Sequence, residues 1–182
     1  MKELSLNILD ITENSTKAGA KNVSIILDET EQTFKITVSD DGCGMMPDFL
    51  AEVTDPFTTT RTTRKVGLGI PLLKLACEQT GGELSIVSRH ESLHPDSHGT
   101  TITALFHKNH LDFTPLGDIV STLTTLIQGH ADVDFLFEHK KDGACVRLDT
   151  KELREVLGDV PLDSFEVIVW IKDFLHEQYE SF

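Results

Sequence analysis

Asp10 and Asn14 stand four residues apart, and Lys17 follows one helical turn later. In a helix that spacing places all three on one face. An amide oxygen such as that of Asn14 is a neutral ligand for Mg²⁺, which prefers oxygen and keeps several waters when it bridges phosphates. Lys17 can meet phosphate as a point charge. Taken alone, a solvated helix face with an incidental asparagine is the simpler account.

The stretch Asp40-Asp41-Gly42-Cys43-Gly44-Met45 carries more chemistry. A carboxylate accepts hydrogen bonds, so Asp40 can receive the exocyclic amine of adenine, where guanine offers an acceptor instead. Gly42 and Gly44 let a backbone turn sharply and approach a base closely. A tight turn after a strand, where Asp and Gly are common, fits the same residues equally well. Further on, Gly67-Leu68-Gly69 leads into a helical pattern. Its N–H groups and the helix N-terminus favour an anionic phosphate, although a lone G-x-G is also an ordinary hinge. Arg61, Arg64 and Lys65 lie just ahead of it, a local cluster of cations in a chain of net charge −14.

Several elements must position these groups. Leu4, Ile8, Ile11 and Ala18 form one stripe at helical spacing, and Gly19 is placed as its stop. The Asp10–Asn14 face lies beside that stripe, so it can line a cavity next to a core. Val23, Ile25 and Leu27, then Phe34, Ile36 and Val38, alternate as two half-buried strands, the second running into Asp40. Residues 47–53 suit a short helix. Residues 54–66 hold six threonines and read as a mobile loop. A helix is expected over 70–79, with Pro71 near its first turn, and strands over 84–88 and 101–106.

The pattern changes near Pro115. Leu116, Ile119, Val120, Leu123 and Ile127 predict an amphipathic helix stopped by Gly129. Val133, Phe135 and Phe137 predict a strand joined by a Lys141-Asp142-Gly143 turn to another through Val146 and Leu148. Thr150 is expected to cap a short helix, and Asp163 with Glu166 to form a capping box for a last one to about Tyr179. His90, His94 and His98 have helix-like metal spacing, but Pro95 argues for a surface loop. Trp170 and the late apolar residues suit packing or a partner surface.

With 182 residues and a 39% apolar fraction, the chain suits one domain, or a small domain with an appendage. Lys plus Arg number 16 against 30 for Asp plus Glu. Such an acidic chain repels nucleic acid and anionic membrane. Its three cysteines form no C-x-x-C pair, which fits reduced thiols and a cytoplasmic setting. No apolar run has transmembrane length.

In their order, these boxes resemble the Bergerat ATP site of the superfamily of gyrase B, heat-shock-90 chaperones, histidine kinases and MutL. The resemblance spans about residues 4–107. Residues 10–20 (DITENSTKAGA) resemble its N box, in wording nearest MutL, and Asp40 to Met45 match the next box. Asp55-Pro56-Phe57-Thr58-Thr59-Thr60-Arg61 resembles the F box of histidine kinases. Gly67-Leu68-Gly69-Ile70 and Gly99-Thr100 match the last two. The resemblance implies an α+β sandwich, a mixed or antiparallel sheet with helices on one face, over residues 1–110. Residues 111–182 would be a small helix-rich C-terminal extension with a β-hairpin, and they match no motif that assigns it a role.

By the same resemblance, ATP and Mg²⁺ are the cofactors. Asn14 holds the metal, Asp40 reads adenine, and the Thr100 hydroxyl supports Asp40. Lys17, Ala18, Gly42, Gly44, Met45, Phe57, Thr59, Arg61, Arg64, Gly67, Leu68 and Gly69 complete the nucleotide set, with residues 54–66 as lid. ATPases of the superfamily carry Glu as the water-activating base where this chain has Asp10, and histidine kinases commonly carry Asn. Asp10 is one methylene shorter than Glu and can act as a base through an extra water, or as an outer partner of the metal.

Histidine kinases phosphorylate a histidine on a preceding helical hairpin, so here a phosphoacceptor is expected on another protein. The layout is similar to small clostridial-type histidine-kinase-like ATP-binding proteins linked with hydrogenase and NADH-oxidising gene clusters, which implies a partner protein of that kind. The tail is also a candidate homodimer surface. Two functions follow: an ATP-using kinase or slow ATPase, or a nucleotide-gated binding module with little turnover.

Overall fold

The computed structural model describes residues 3–54 and 68–182. Its elements run α1 (Leu4–Lys17), β1 (Asn22–Glu29), β2 (Thr33–Asp40), α2 (Pro47–Glu52), α3 (Gly69–Gln79), β3 (Glu83–Arg89), β4 (Gly99–His107), α4 (Ile119–Gly129), β5 (Asp134–Lys141), β6 (Ala144–Asp149), α5 (Thr150–Leu157) and α6 (Phe165–Glu180). The six strands form one sheet in the order β3-β4-β2-β1-β5-β6. All neighbours are antiparallel except β1 and β5, which run parallel. The expected mixed sheet with helices is the architecture found.

Period-two patterning decides which face is covered. Val23, Ile25 and Leu27 of β1, with Phe34, Ile36 and Val38 of β2, are buried. The intervening Ser24, Thr37 and Ser39 stay partly exposed. Leu4, Ile8 and Ile11 of α1, Ile70 and Leu73 of α3, Leu123 and Leu126 of α4, and Ile171 and Leu175 of α6 complete the core. Each such side chain contributes roughly 1.5–3 kcal/mol when fully buried.

The chain after residue 110 is built into this framework. The β5–β6 hairpin extends the sheet beside β1, α4 packs on α1, and α6 packs on α4. Leu4 and Ser5 N–H groups donate to the carbonyls of Pro115 and Leu116. The expected turn at residues 141–143 is present, with Asp142 and Gly143 both at positive φ. That conformation matches strand twist in a tight hairpin.

Three helix starts differ from expectation. Asp118 is the N-cap of α4, accepting from Ser121 N at 2.9 Å. Leu116 therefore precedes the helix, its carbonyl tied to α1. Asp149, not Thr150, caps α5 through Lys151 N. Thr150 is instead fully buried, its hydroxyl accepting from Phe135 N and donating to Asp134. The N-cap of α6 is Ser164, one residue beyond Asp163, with no side-chain cap bond. At α4 and α5 a tertiary bond claims the expected residue, Leu116 through its carbonyl and Thr150 through its hydroxyl, and a neighbouring Asp caps locally instead.

Residues 90–98 are a loop between β3 and β4, as Pro95 implied. No group of three metal-binding side chains occurs among the described residues. None of the described helices is long and apolar enough to cross a membrane. Trp170 is half exposed and stacks on Phe174 with ring centroids 4.8 Å apart.

Candidate nucleotide site

The C-terminal end of α1, the end of β2 and the start of β4 meet around a cavity of about 300 Å³. A Schellman motif closes α1: Gly19 N–H donates to the Thr16 carbonyl and Ala20 N–H to that of Ser15. This leaves the Ala18 carbonyl free to receive Cys43 N–H at 2.9 Å. The helix end thereby holds the loop that follows β2. Sheet register brings Asp40 opposite Thr100, so the first residue of one motif and the last of another share one wall.

Asn14, Lys17 and Ala18 line the cavity from α1 and its end. Asp40, Gly44, Met45 and Thr100 line it from the strand ends and the loop. Ile11, Phe49, Val53, Ile70 and Ile102 supply apolar walls. Asp10 is exposed and outside the lining, one turn before Asn14, where it abuts the first residue of α3. A Cβ on Gly69 would lie 3.0 Å from Asp10 Cβ. Leu68 is the exposed N-cap of α3. Gly42 lies just behind the lining. A Cβ there would stand 2.9 Å from Ala18 Cβ, so a larger residue would push the loop off the helix. Phe57, Thr59, Arg61, Arg64 and Gly67 lie outside the described residues.

Asp40 is held by three donors. Gly42 N–H and Thr100 N–H donate to Oδ1 at 2.9 and 3.3 Å, and the Ser15 hydroxyl donates to Oδ2 at 2.6 Å. The Ser15 and Gly42 bonds have the short lengths of charge-assisted hydrogen bonds, and the three together fix the carboxylate's rotation. Thr100 thus meets Asp40 through its backbone. Its hydroxyl lies 2.8 Å from Ser88 Oγ.

Neighbouring contacts brace the loop. Asp41 accepts from Lys21 N at 2.8 Å, Asn22 N at 2.9 Å and Asn22 Nδ2 at 2.6 Å. Burial works to raise the Asp41 carboxyl, but these bonds, led by the Asn22 side chain, outweigh it and hold it below the ordinary range. His98 Nδ1 lies 2.6 Å from the Gly42 carbonyl. Gly44 has φ of +70°, and a Cβ there would come within 2.0 Å of the Arg89 carbonyl oxygen. That position admits glycine alone.

Ser15, Ser88 and His98 are not among the residues singled out from the sequence for this cavity wall. Each acts through a partner distant along the chain. Ser88 has one clue: pairing the predicted β3 and β4 in register sets it opposite Thr100. The apolar walls show nothing beyond core periodicity.

Comparisons with known proteins bear on this geometry. The family model of histidine kinase-, DNA gyrase B- and HSP90-like ATPases matches residues 1–110. The sensor protein SrrB of Staphylococcus aureus is 30% identical over an alignment of 93 positions that covers 48% of this chain and 16% of that sensor. The chain therefore matches only about a sixth of the length of such relatives. Among solved structures, the N-terminal domain of a DNA repair protein superposes with a TM-score of 0.58 at 18% identity, covering 87% of this chain and 58% of that one. The Aquifex aeolicus MutL ATPase domain complexed with ADP gives 0.53 at 13% identity, covering 86% and 69%. These two likenesses establish the fold.

Proposed function

Because this chain belongs to the histidine kinase-, DNA gyrase B- and HSP90-like ATPase family, we propose that its cavity binds Mg-ATP for phosphotransfer to a partner protein or for slow hydrolysis. The observation that carries this is the convergence of Asn14, Lys17, Asp40 and Thr100 on one cavity from three separate elements. Asp40 accepts the exocyclic amine of adenine, and the apolar walls flank the base. A volume of about 300 Å³ suits a base and sugar. The triphosphate then extends past Asn14 and Lys17, with Arg61, Arg64 and the Gly67-Leu68-Gly69 segment as its further partners.

The donor set fits magnesium. Asn14 offers one neutral oxygen, and among the described residues no group of three acidic, His or Cys side chains is placed to hold a metal ion. A cation there needs phosphate oxygens and water for its remaining positions, which is how Mg²⁺ is held beside nucleotides. When bound, the ion neutralises charge developing on the transferred phosphoryl group. Lys17 adds a fixed positive charge beside it. In the kinase form of the reading the phosphoacceptor is a second protein. The net charge of −14 disfavours nucleic acid as that partner.

Asp10 is the proposed base. Incubation with Mg²⁺ and γ-labelled ATP tests this by following label into free phosphate. Steady release that disappears in Asp10→Asn, with ATP affinity retained, supports hydrolysis with Asp10 as base. Equal turnover in the variant removes Asp10 from the mechanism. The second reading is a nucleotide-gated binding module with little turnover, and the place of Asp10 outside the cavity lining favours it. Tight ATP binding without release is its signature.

A further inference from the structure

We propose that Ser88 determines base specificity: it fixes the Thr100 hydroxyl as an acceptor toward the cavity, so that the site selects a 6-amino purine over a 6-keto purine. This rests on the nucleotide reading above. Ser88 lies near the end of β3, directly opposite Thr100.

A serine hydroxyl has one hydrogen and two lone pairs. Three groups surround that of Ser88: Met45 N–H at 2.8 Å, the Gly99 carbonyl at 3.2 Å and Thr100 Oγ1 at 2.8 Å. Met45 N–H can only donate, and the Gly99 carbonyl can only accept. One arrangement makes all three bonds. Ser88 accepts from Met45, donates to Gly99, and accepts from the Thr100 hydroxyl. If Ser88 instead donates to Thr100, one hydrogen bond is lost. Thr100 is 8% exposed, and buried polar groups favour full pairing.

With its hydrogen turned to Ser88, Thr100 offers the cavity only lone pairs. Asp40 on the same wall is a carboxylate and also only accepts. Two acceptors therefore face the base. An amino group at purine C6 donates to them. A keto oxygen meets acceptor against acceptor and stays unpaired, a costly state in a desolvated site. Without Ser88 the Thr100 hydroxyl is free to rotate and donate to a keto oxygen.

The test is titration of the full chain with Mg-ATP and with Mg-ITP, which carries a keto group at C6 and a hydrogen on N1. The parent binds ATP more tightly. Ser88→Ala narrows the ATP/ITP affinity ratio on the order of tenfold, and Ser88→Thr, which keeps the hydroxyl, preserves it. Thr100→Val narrows the ratio as well, and adding Ser88→Ala to it changes the ratio no further, because the effect runs through Thr100. A purely structural Ser88 weakens both nucleotides alike and leaves the ratio at the parent value, which overturns the proposal. Should Ser88→Ala fail to fold, an unchanged ratio in Thr100→Val is equally decisive against it. A parent that binds neither nucleotide refutes the nucleotide assignment itself, a different failure from an unchanged ratio.

Discussion

Ser15 Oγ donates to Asp40 Oδ2 across 2.6 Å, tying the last turn of α1 to the end of β2 at the cavity wall. Ser15 is 4% exposed, and its hydroxyl holds the carboxylate from the helix side. Ser15→Ala removes a hydrogen bond to a charged group, of the class that contributes about 1.5–3 kcal/mol. The expected result is a lower denaturation midpoint together with ATP affinity weakened roughly tenfold, read by denaturant titration and calorimetry on the same protein. An affinity equal to the parent's would show that Asp40 needs no such anchor.

Asn14 places a neutral amide oxygen on the cavity wall from α1. Asn14→Ala is expected to leave the fold unchanged and to remove the magnesium dependence of ATP binding. Titrating ATP with Mg²⁺ and with a chelator compares the two conditions directly. Retained dependence in the variant would place the metal elsewhere.

Gly44 combines φ of +70° with the Arg89 carbonyl where a Cβ would stand. Gly44→Ala must move either the loop or the end of β3. Roughly 3 kcal/mol or more of stability should be lost, as for other residues forced into incompatible backbone. Denaturant unfolding of the variant measures this, and a loss under about 1 kcal/mol would mean the loop yields freely.

His139 is buried at the far end of the sheet, between Glu29 Oε2 at 3.1 Å and the Tyr179 hydroxyl at 2.9 Å. Lys108 and Lys141 also pair with Glu29, and the Phe182 ring lies 4.6 Å from the imidazole centroid. Burial pushes His139 below its ordinary 6.5 despite the raising effect of Glu29. Between the folded and the unfolded pKa, the unfolded chain binds the proton more readily. Stability from this group is therefore complete above about pH 6.5 and declines as pH falls through the depressed folded value. A melting-temperature series should fall across that window in the parent and flatten in His139→Gln. A parent curve as flat as the variant's would contradict the assignment. Glu29 is also held low, and its own contribution declines only below its ordinary 4.5.

Much of the sheet and of the site was legible because its signals are local. Alternation in Val23-Ser24-Ile25 and in Phe34-Lys35-Ile36 reports a half-buried face, and both segments are strands of that kind. The i, i+4 relation of Asp10 and Asn14 placed one helix face, although only Asn14 reaches the cavity lining. Pairing of β5 with β1 was not legible, since a parallel partner more than a hundred residues away leaves no periodic trace in either strand. Helix starts at Asp118 and Asp149 were misplaced because Leu116 and Thr150 are engaged by α1 and β5; the start of α6 at Ser164 carries no side-chain cap bond that a sequence could show. Ser15 and Ser88 were missed for a similar reason: a hydroxyl gains its role from a partner 25 or 12 residues distant, and single serines carry no pattern.

The most direct measurement is Mg-ATP binding to the parent and to Asp40→Ala by calorimetry, with circular dichroism on both. Three protein donors orient the Asp40 carboxylate beside the cavity. The expected result is saturable ATP binding by the parent and none detectable in Asp40→Ala, with the helix and sheet signature retained. An Asp40→Ala protein that binds ATP as tightly as the parent would contradict the assignment of this cavity as the nucleotide site.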